Sequence, residues 1–351
     1  MGDMELGSTL FTAVGTFVRK NLTWGAQRRS FRTQELIEKL KEGKDREGSL
    51  RDLAKLGVHA RPAGVVVVES LASDDWEVRV AATLTLGFIQ YAEATDVLIS
   101  QLAEVSDWRR VRASARALGR LHAERALRPL ERLAVGHWYP PVREAASQAI
   151  RVIRGEASYP EEPSTSEFFW HVHRGERLKV PSRPFLDLGP DELPAISLAQ
   201  RIYAAKVLDT NEHPWRMKLV SQKPRCGLRV SDGYLLGDER GEWGGELVHQ
   251  RDDATETHVF HRNVWGIHRL GPHIIVVTGL AHLGGNEGRL YRVFPQGETF
   301  GAEFWRELPG APECSGWLSD GRLYIECLGG AVLVSPEGDF ELAEPDTFQA
   351  G

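Results

Sequence analysis

Apolar positions in the first half of the chain recur with a long period. Leu40, Leu71, Leu102 and Leu133 stand 31 residues apart, closing the similar segments TQELIEKL, GVVVVESL, TDVLISQL and LRPLERL. Two further markers keep step with them. Leu-Gly occurs at Leu56–Gly57, Leu86–Gly87 and Leu118–Gly119, and Val-Arg followed by small residues at Val78–Arg79, Val111–Arg112 and Val142–Arg143. Two short apolar-periodic segments in each unit of about 30 residues predict a helical solenoid. The predicted boundaries fit: Asp74 precedes Glu77 by three, Ser106 or Asp107 can cap the next helix, and Pro140–Pro141 open the last one. Helices of about a dozen residues do not persist alone, so each must bury a face against its neighbours.

The second half carries a different pattern. GELVHQ begins at Gly245, GRLYRVFPQGETF at Gly288 and GAVLVSPEGDF at Gly330, at intervals of 43 and 42. Each follows another apolar stretch: DGYLLGD (232–238), PHIIVVTGL (272–280) and DGRLYIEC (320–327). Short runs of Val, Ile, Leu and Tyr punctuated by Gly and Pro read as antiparallel hairpins, and the period suits a propeller blade of about 40–50 residues. Residues 168–227 are expected to supply a fourth, irregular unit, with FFWHVH and RMKLV as strand candidates. The expectation is a four-bladed or partly open arrangement.

Between the two patterns lies GEASYPEEPSTSE (155–167), which reads as a linker. The division is therefore a helical solenoid over 1–154, a linker over 155–167 and an all-β propeller-like domain over 168–351. Charge divides in the same place: residues 1–155 carry a net +5 and the remainder −11.

The helical units, with Asp before a Val-Arg-x-x-Ala helix and a Leu-Gly close, resemble the short HEAT-like repeats first noted in phycobilisome lyases, over about residues 33–154. The resemblance implies a curved α-solenoid. It also implies an Asp–Arg ladder between repeats, giving structural roles to Asp74 or Asp75, Asp107, Arg79, Arg112 and Arg143. GHWYPPVRE lacks the Asp, so the ladder is expected to end there.

The stretch SDWRRVRASARALGRL (106–121) holds five arginines. On a helical wheel Val111, Ala115, Leu118 and Leu121 take one side, and Arg109, Arg112, Arg116 and Arg120 the other. They are expected to form the solvated face of a first helix. Arg125, Arg128 and Arg132 are candidate contacts on a concave second helix, but the positions 31 earlier are Ala94, Val97 and Gln101, which confines the basic track to one repeat. Trp76, Trp108 and Trp138 are expected to cover the junctions between repeats.

Candidate partner-binding residues lie in the connections GDERGEWGG (237–245) and LAHLGGNEG (280–288), which equivalent blades would present on one face: Asp238, Glu239, Arg240, Glu242 and Trp243 beside His282, Asn286 and Glu287. Trp243 is the expected anchor. The competing reading is tight turns around an internal Arg–Glu pair.

Chemistry is scarce. His171-x-His173 would share one side of a strand but has no third ligand at a supporting spacing, and His258 and His261 lack a partner pair. No nucleophile elbow, Walker loop or HExxH helix is present. No catalytic residue, metal or cofactor is assigned, and the reading leans away from an enzyme. Cys226, Cys314 and Cys327 form no CxxC pair, and no segment is apolar enough to span a bilayer, so a cytoplasmic location is expected. The function that fits is a non-enzymatic module for a protein partner, a basic one given the acidic second half. A toxin-neutralising immunity protein meets that description. The alternative is a nucleic-acid-binding or DNA-base-excising enzyme on the helical repeat, with a bilin-lyase-like activity as a third option.

Overall fold

The computed structural model describes residues 27–164, 168, 193–196, 204–205, 216–217, 224–282 and 285–343, with 204–205, 216–217 and Trp243 described in their backbone alone. The chain divides into two compact units, Met1–Phe169 and Trp170–Gly351.

The first unit is helical. A helix over 27–41 (α1) is followed by α2 (Arg46–Leu56), α3 (Gly64–Glu69), α4 (Trp76–Phe88), α5 (Thr95–Gln101), α6 (Trp108–Arg120), α7 (Leu127–Gly136) and α8 (Pro140–Ile153). The first helices of successive repeats pack in series, α2 on α4, α4 on α6 and α6 on α8. The second and third Leu-Gly markers mark the crossings of α4 on α6 and α6 on α8, whereas Gly57, with positive φ, ends α2. A Cβ on Gly87 would stand 2.8 Å from the Ala117 Cα, and one on Gly119 3.0 Å from the Ala149 Cα. Each glycine thus meets an alanine 30 residues later, and the small pair lets two backbones approach closely.

Capping sets the starts of α4 and α6. Asp75 accepts from the Glu77 amide, and Asp107 from the amides of Arg109 and Arg110. Asp107 also takes the Arg79 guanidinium of the preceding repeat at 3.5 Å, which is one rung of the expected ladder. Arg79 further donates to the Ser73 carbonyl at 2.8 Å, and Arg143, in the repeat without the Asp, donates to the His137 carbonyl at 2.8 Å. In these two repeats the Val-Arg arginine ties down the turn before its own helix.

The arginines of α6 are not a solvated face. Arg109 is 1% exposed and Arg120 7%, and no residue of the helix is fully exposed. A central first helix is flanked by α4, α5 and α8, so the side opposite its aliphatic stripe is also covered. Arg109 lies over Trp76 and Trp108 at 4.8 and 4.7 Å, and Arg120 over Phe88 and Tyr159 at 3.7 and 4.8 Å. Trp108 meets Tyr139 edge-on at 4.5 Å. Two of the expected junction tryptophans, Trp76 and Trp108, thus enclose one cation between successive repeats.

The expected linker also behaves differently over its described part. Arg120 donates to the Pro160 carbonyl at 2.7 Å, Tyr159 stacks against Arg116 and Arg120, and Phe168 stacks on Phe88 at 6.1 Å. Tyr159 gives this stretch a surface to bury, and residues 159–160 pack on the helices, as does Phe168 just beyond it.

The second unit holds three four-stranded antiparallel meanders, a propeller-like organisation. The first is β3 (Cys226–Val230), β4 (Gly233–Asp238), β5 (Glu246–Arg251) and β6 (Glu256–Phe260). The second is β7 (Val264–Leu270), β8 (His273–His282), β9 (Gly285–Gln296) and β10 (Thr299–Glu307). The third is β11 (Pro312–Trp317), β12 (Leu323–Cys327), β13 (Val332–Val334) and β14 (Phe340–Leu342). A separate pair, β1 (Ala204–Ala205) and β2 (Arg216–Met217), falls within 168–227, where a fourth unit is expected; FFWHVH beyond Phe168 and RMKLV beyond Met217 lie outside the described residues.

The 42-residue register has a packing cause. β7 packs on β3 and β4, and β11 on β7 and β8, so each sheet begins on the first two strands of the sheet before. Gly237 and Gly279 occupy the same position in β4 and β8. A Cβ there would meet Val264 at 2.4 Å and Pro312 at 2.3 Å, the first residues of the next sheet. Cys226, Leu228, Leu235, Leu247, Val264, Ile267, Val276 and Phe300 form the core shared by the first two sheets.

Between the second and third sheets, buried His268 meets the Ser315 hydroxyl through Nε2 at 2.8 Å. Burial pushes its imidazole down to about 4. The unfolded chain therefore binds the proton first, so His268 withdraws stability as pH falls from about 6.5 toward 4. Over that window His268→Gln should lose less stability than wild type, by roughly 3 kcal/mol, in urea titrations followed by fluorescence. In the helical unit Gly119→Val should cost about 1–3 kcal/mol by overpacking, and Arg120→Ala about 2 kcal/mol or more. Gly136→Ala, where an added Cβ meets nothing within 4 Å, is the control and should not destabilise.

Candidate functional site

Most of the singled-out loop residues converge where the β4–β5 connection meets the turn before β7 and the β8–β9 hairpin. β4 ends at Asp238, and a 3-10 turn over Gly241–Trp243 precedes β5. The base of this loop is a buried ion cluster. Arg240 reaches Asp238 with Nε at 2.6 Å and Nη2 at 3.2 Å, and its Nη2 also contacts Glu246. Both carboxylates are 1% exposed. The Glu246 amide donates to Asp238 at 2.9 Å, and Asn263 closes the loop by accepting from the Arg240 amide at 3.0 Å and donating to the Gly241 carbonyl at 2.7 Å. Asp238 and Arg240 are thus interior parts of the loop, because two buried carboxylates require the guanidinium between them.

Other candidates sit closer to solvent. Glu239 accepts from the Gly241 amide and faces Arg225 at 3.5 Å. Glu242 meets His282 at 3.0 Å, with 47% and 44% of the side chains exposed. That contact joins the two connections. The second is not a long loop, however: Leu280 pairs with Glu287, Ala281 with Asn286 and His282 with Gly285, so β8 and β9 extend through it. Asn286 accepts from the Ala311 amide at 2.5 Å, and Glu287 pairs with Arg289 at 3.1 Å. Arg289 also holds Glu307 at 2.8 Å. Burial works against its charge, but Glu307 and Glu287 outweigh it and raise its pKa. In the register that superposes Gly237 on Gly279, Glu287, opposite Leu280, takes the place of Glu246, opposite Asp238, so a carboxylate paired with an arginine recurs at one position in both sheets.

A cavity of about 180 Å³ opens among these elements, lined by His261, Arg262, Asn263, Thr278, Glu287 and Arg289, among others. His261 belongs to a second cluster. The ligand atoms of Glu246, His258 and His261 lie within 4.8 Å of one another. Glu246 is the partner the sequence reading did not find, since it is 12 residues away and visible only through the β5–β6 pairing. His171 and His173 lie outside the described residues, as does the Trp243 side chain.

Of the candidate contacts in the helical unit, Arg125, Arg128 and Arg132 are exposed on or just before α7. Arg125 pairs with Asp96 at 2.9 Å, while Arg154 pairs with Glu131 at 2.7 Å and Arg61 with Glu93 at 3.2 Å. The second helices therefore carry charges of both signs. The three cysteines are free, and burial pushes the Cys226 thiol up to about 12, which makes it a packing residue and not a nucleophile. Among the described residues no helix is long and apolar enough to cross a membrane.

Residues 65–151 match the family model of HEAT repeats, in agreement with the helix pairs seen there. HEAT repeats generally mediate protein–protein interaction. No curated protein matches the chain.

The Arg240 cluster makes a clear prediction. Arg240→Ala leaves two buried carboxylates without their guanidinium and should destabilise the β unit by about 3–5 kcal/mol. Glu242→Gln breaks only an exposed pair and should stay within about 1 kcal/mol of wild type. Paired urea denaturation curves compare the two directly.

Proposed function

We propose that the protein is a binding module for a protein partner, met at the Gly241–Trp243 turn and the neighbouring tip of the β8–β9 hairpin. The carrying observation is the contact between Glu242 and His282 at 3.0 Å, which sets two hairpin connections side by side above an ion cluster that locks one of them. A loop held in place before binding loses little entropy on association, which favours affinity. Glu239 and Glu242 serve as rim charges and Trp243 as the anchor, because Trp is among the residues most enriched at interface hot spots. The net charge of −11 beyond residue 155 favours a basic partner, as a toxin neutralised by an immunity protein would be. The HEAT repeats at 65–151 add a second surface suited to proteins.

The nucleic-acid alternative has less behind it. Arg125 is neutralised by Asp96, and acidic Glu131 lies between Arg128 and Arg132, whereas a polyanion is bound by uninterrupted positive charge.

The test recovers the partner by pull-down from the native source and measures its kinetics with variants. Trp243→Ala should speed dissociation, by about 30-fold for a loss of about 2 kcal/mol. Glu242→Lys should slow association and weaken its salt dependence. Folded variants that both bind like wild type would refute the loop surface. Salt-resistant duplex DNA binding abolished by Arg128→Glu with Arg132→Glu would favour the alternative.

A further inference from the structure

We propose that Glu246, His258 and His261 form a binding site for a divalent transition metal of the zinc class. The site is independent of the partner surface and stands on three observations.

The first is how the backbone assembles it. His258 and His261 are three apart, and on a regular strand an odd spacing sends side chains to opposite faces. The β5–β6 ladder is irregular at this point: Val248 pairs with His258, but Leu247 pairs with Phe260, leaving Val259 extra. This is a bulge, and bulges re-aim side chains. It brings His258 opposite Val248, on the same face as Glu246, and continuing the ladder by one residue sets His261 opposite Glu246. A spacing that ought to separate the two imidazoles instead brings them to one carboxylate.

The second is the resulting geometry. The His258 and His261 ring centroids are 3.6 Å apart. His258 Nδ1 lies 3.4 Å from Glu246 Oε2, and one ligand atom from each residue falls within 4.8 Å of the others. Zinc bonds of about 2.0–2.1 Å place tetrahedral ligand atoms about 3.3 Å apart. The His258–Glu246 separation already matches. His261 is exposed, and turning its ring so that the centroids open from 3.6 Å to about 5 Å, as two imidazoles on one tetrahedral ion require, brings its nitrogen to the same distance.

The third is the support around the ligands. Glu246 is 1% exposed, and its Oε1 faces Arg240, which Asp238 fixes in turn. The carboxylate is oriented before any ion arrives, as the outer partners of metal ligands commonly do. Two imidazoles and one carboxylate suit zinc, nickel or copper better than magnesium or calcium, which take oxygen ligands. Three protein ligands leave the fourth tetrahedral position to water or a ligand from solution. His258, with 30% of its side chain exposed, and exposed His261 leave the site open to exchange.

The experiment titrates the metal-stripped full chain with zinc chloride by calorimetry, and with cobalt chloride by visible absorption. Wild type should take up one zinc per chain, and cobalt should give the ligand-field bands of a four- or five-coordinate nitrogen and oxygen site. His261→Ala, at an exposed position that leaves the fold intact, should weaken zinc by at least about tenfold, the size of effect that even outer-partner losses produce. His258→Ala should do the same. His273→Ala, at another exposed histidine, should not change the affinity. Magnesium at the same concentration should not compete. No saturable zinc uptake by wild type, unchanged affinity in His261→Ala, or an equal loss in His273→Ala would each overturn the proposal.

Discussion

Both units are organised around arginines whose charge is taken out of water. In the helices, Arg109 and Arg120 are enclosed by aromatic rings from adjoining repeats and from the segment after α8. In the sheets, Arg240 and Arg289 each bridge two carboxylates at the ends of paired strands. A buried guanidinium is tolerated only when its donors and its charge are met, and once met it fixes the elements that supply the partners. These groups therefore specify geometry as much as they stabilise it. Arg120 joins α4 and the 159–160 segment to α6. Arg240 determines where the Gly241–Trp243 turn stands, and through Glu246 it orients the carboxylate beside His258 and His261.

The same residues separate scaffold from surface. With Asp238 and Arg240 inside, the exposed chemistry of the β4–β5 connection reduces to Glu239, Glu242 and the backbone that carries Trp243. In the helical unit, the arginine-dense α6 is largely interior, and the cations of α7 and its approach, Arg125, Arg128 and Arg132, are exposed but interleaved with acids. The density of a charged residue in sequence is a poor guide to where charge meets solvent, because a central helix of a solenoid has neighbours on most of its circumference.

Periodicity made the architecture legible. The 31-residue leucines and the Leu-Gly markers located the repeats because backbone crossings demand a small residue at fixed intervals, as Gly87 and Gly119 show. The 43- and 42-residue register located the paired strands of each sheet for the same reason, through Gly237 and Gly279. What could not be read was which face of α6 would be covered, since a helical wheel sorts residues by direction and not by what lies there. Tyr159 was hidden in a stretch whose Pro, Ser and Glu content reads as linker. The Glu246–His258–His261 cluster was hidden by a single bulge: spacing alone sends the two histidines apart, and only the strand pairing brings in Glu246.

The central claim is that these guanidiniums are structural, and the most direct test keeps the charge while removing the planar, multidentate group. Urea denaturation of Arg120→Lys and Arg240→Lys, set against Arg128→Lys at an exposed position, measures it. A lysine ammonium can neither stack between Phe88 and Tyr159 nor span Asp238 and Glu246, so the first two variants should lose about 2 kcal/mol or more while the third is unchanged. Wild-type stability in Arg120→Lys and Arg240→Lys would contradict the account.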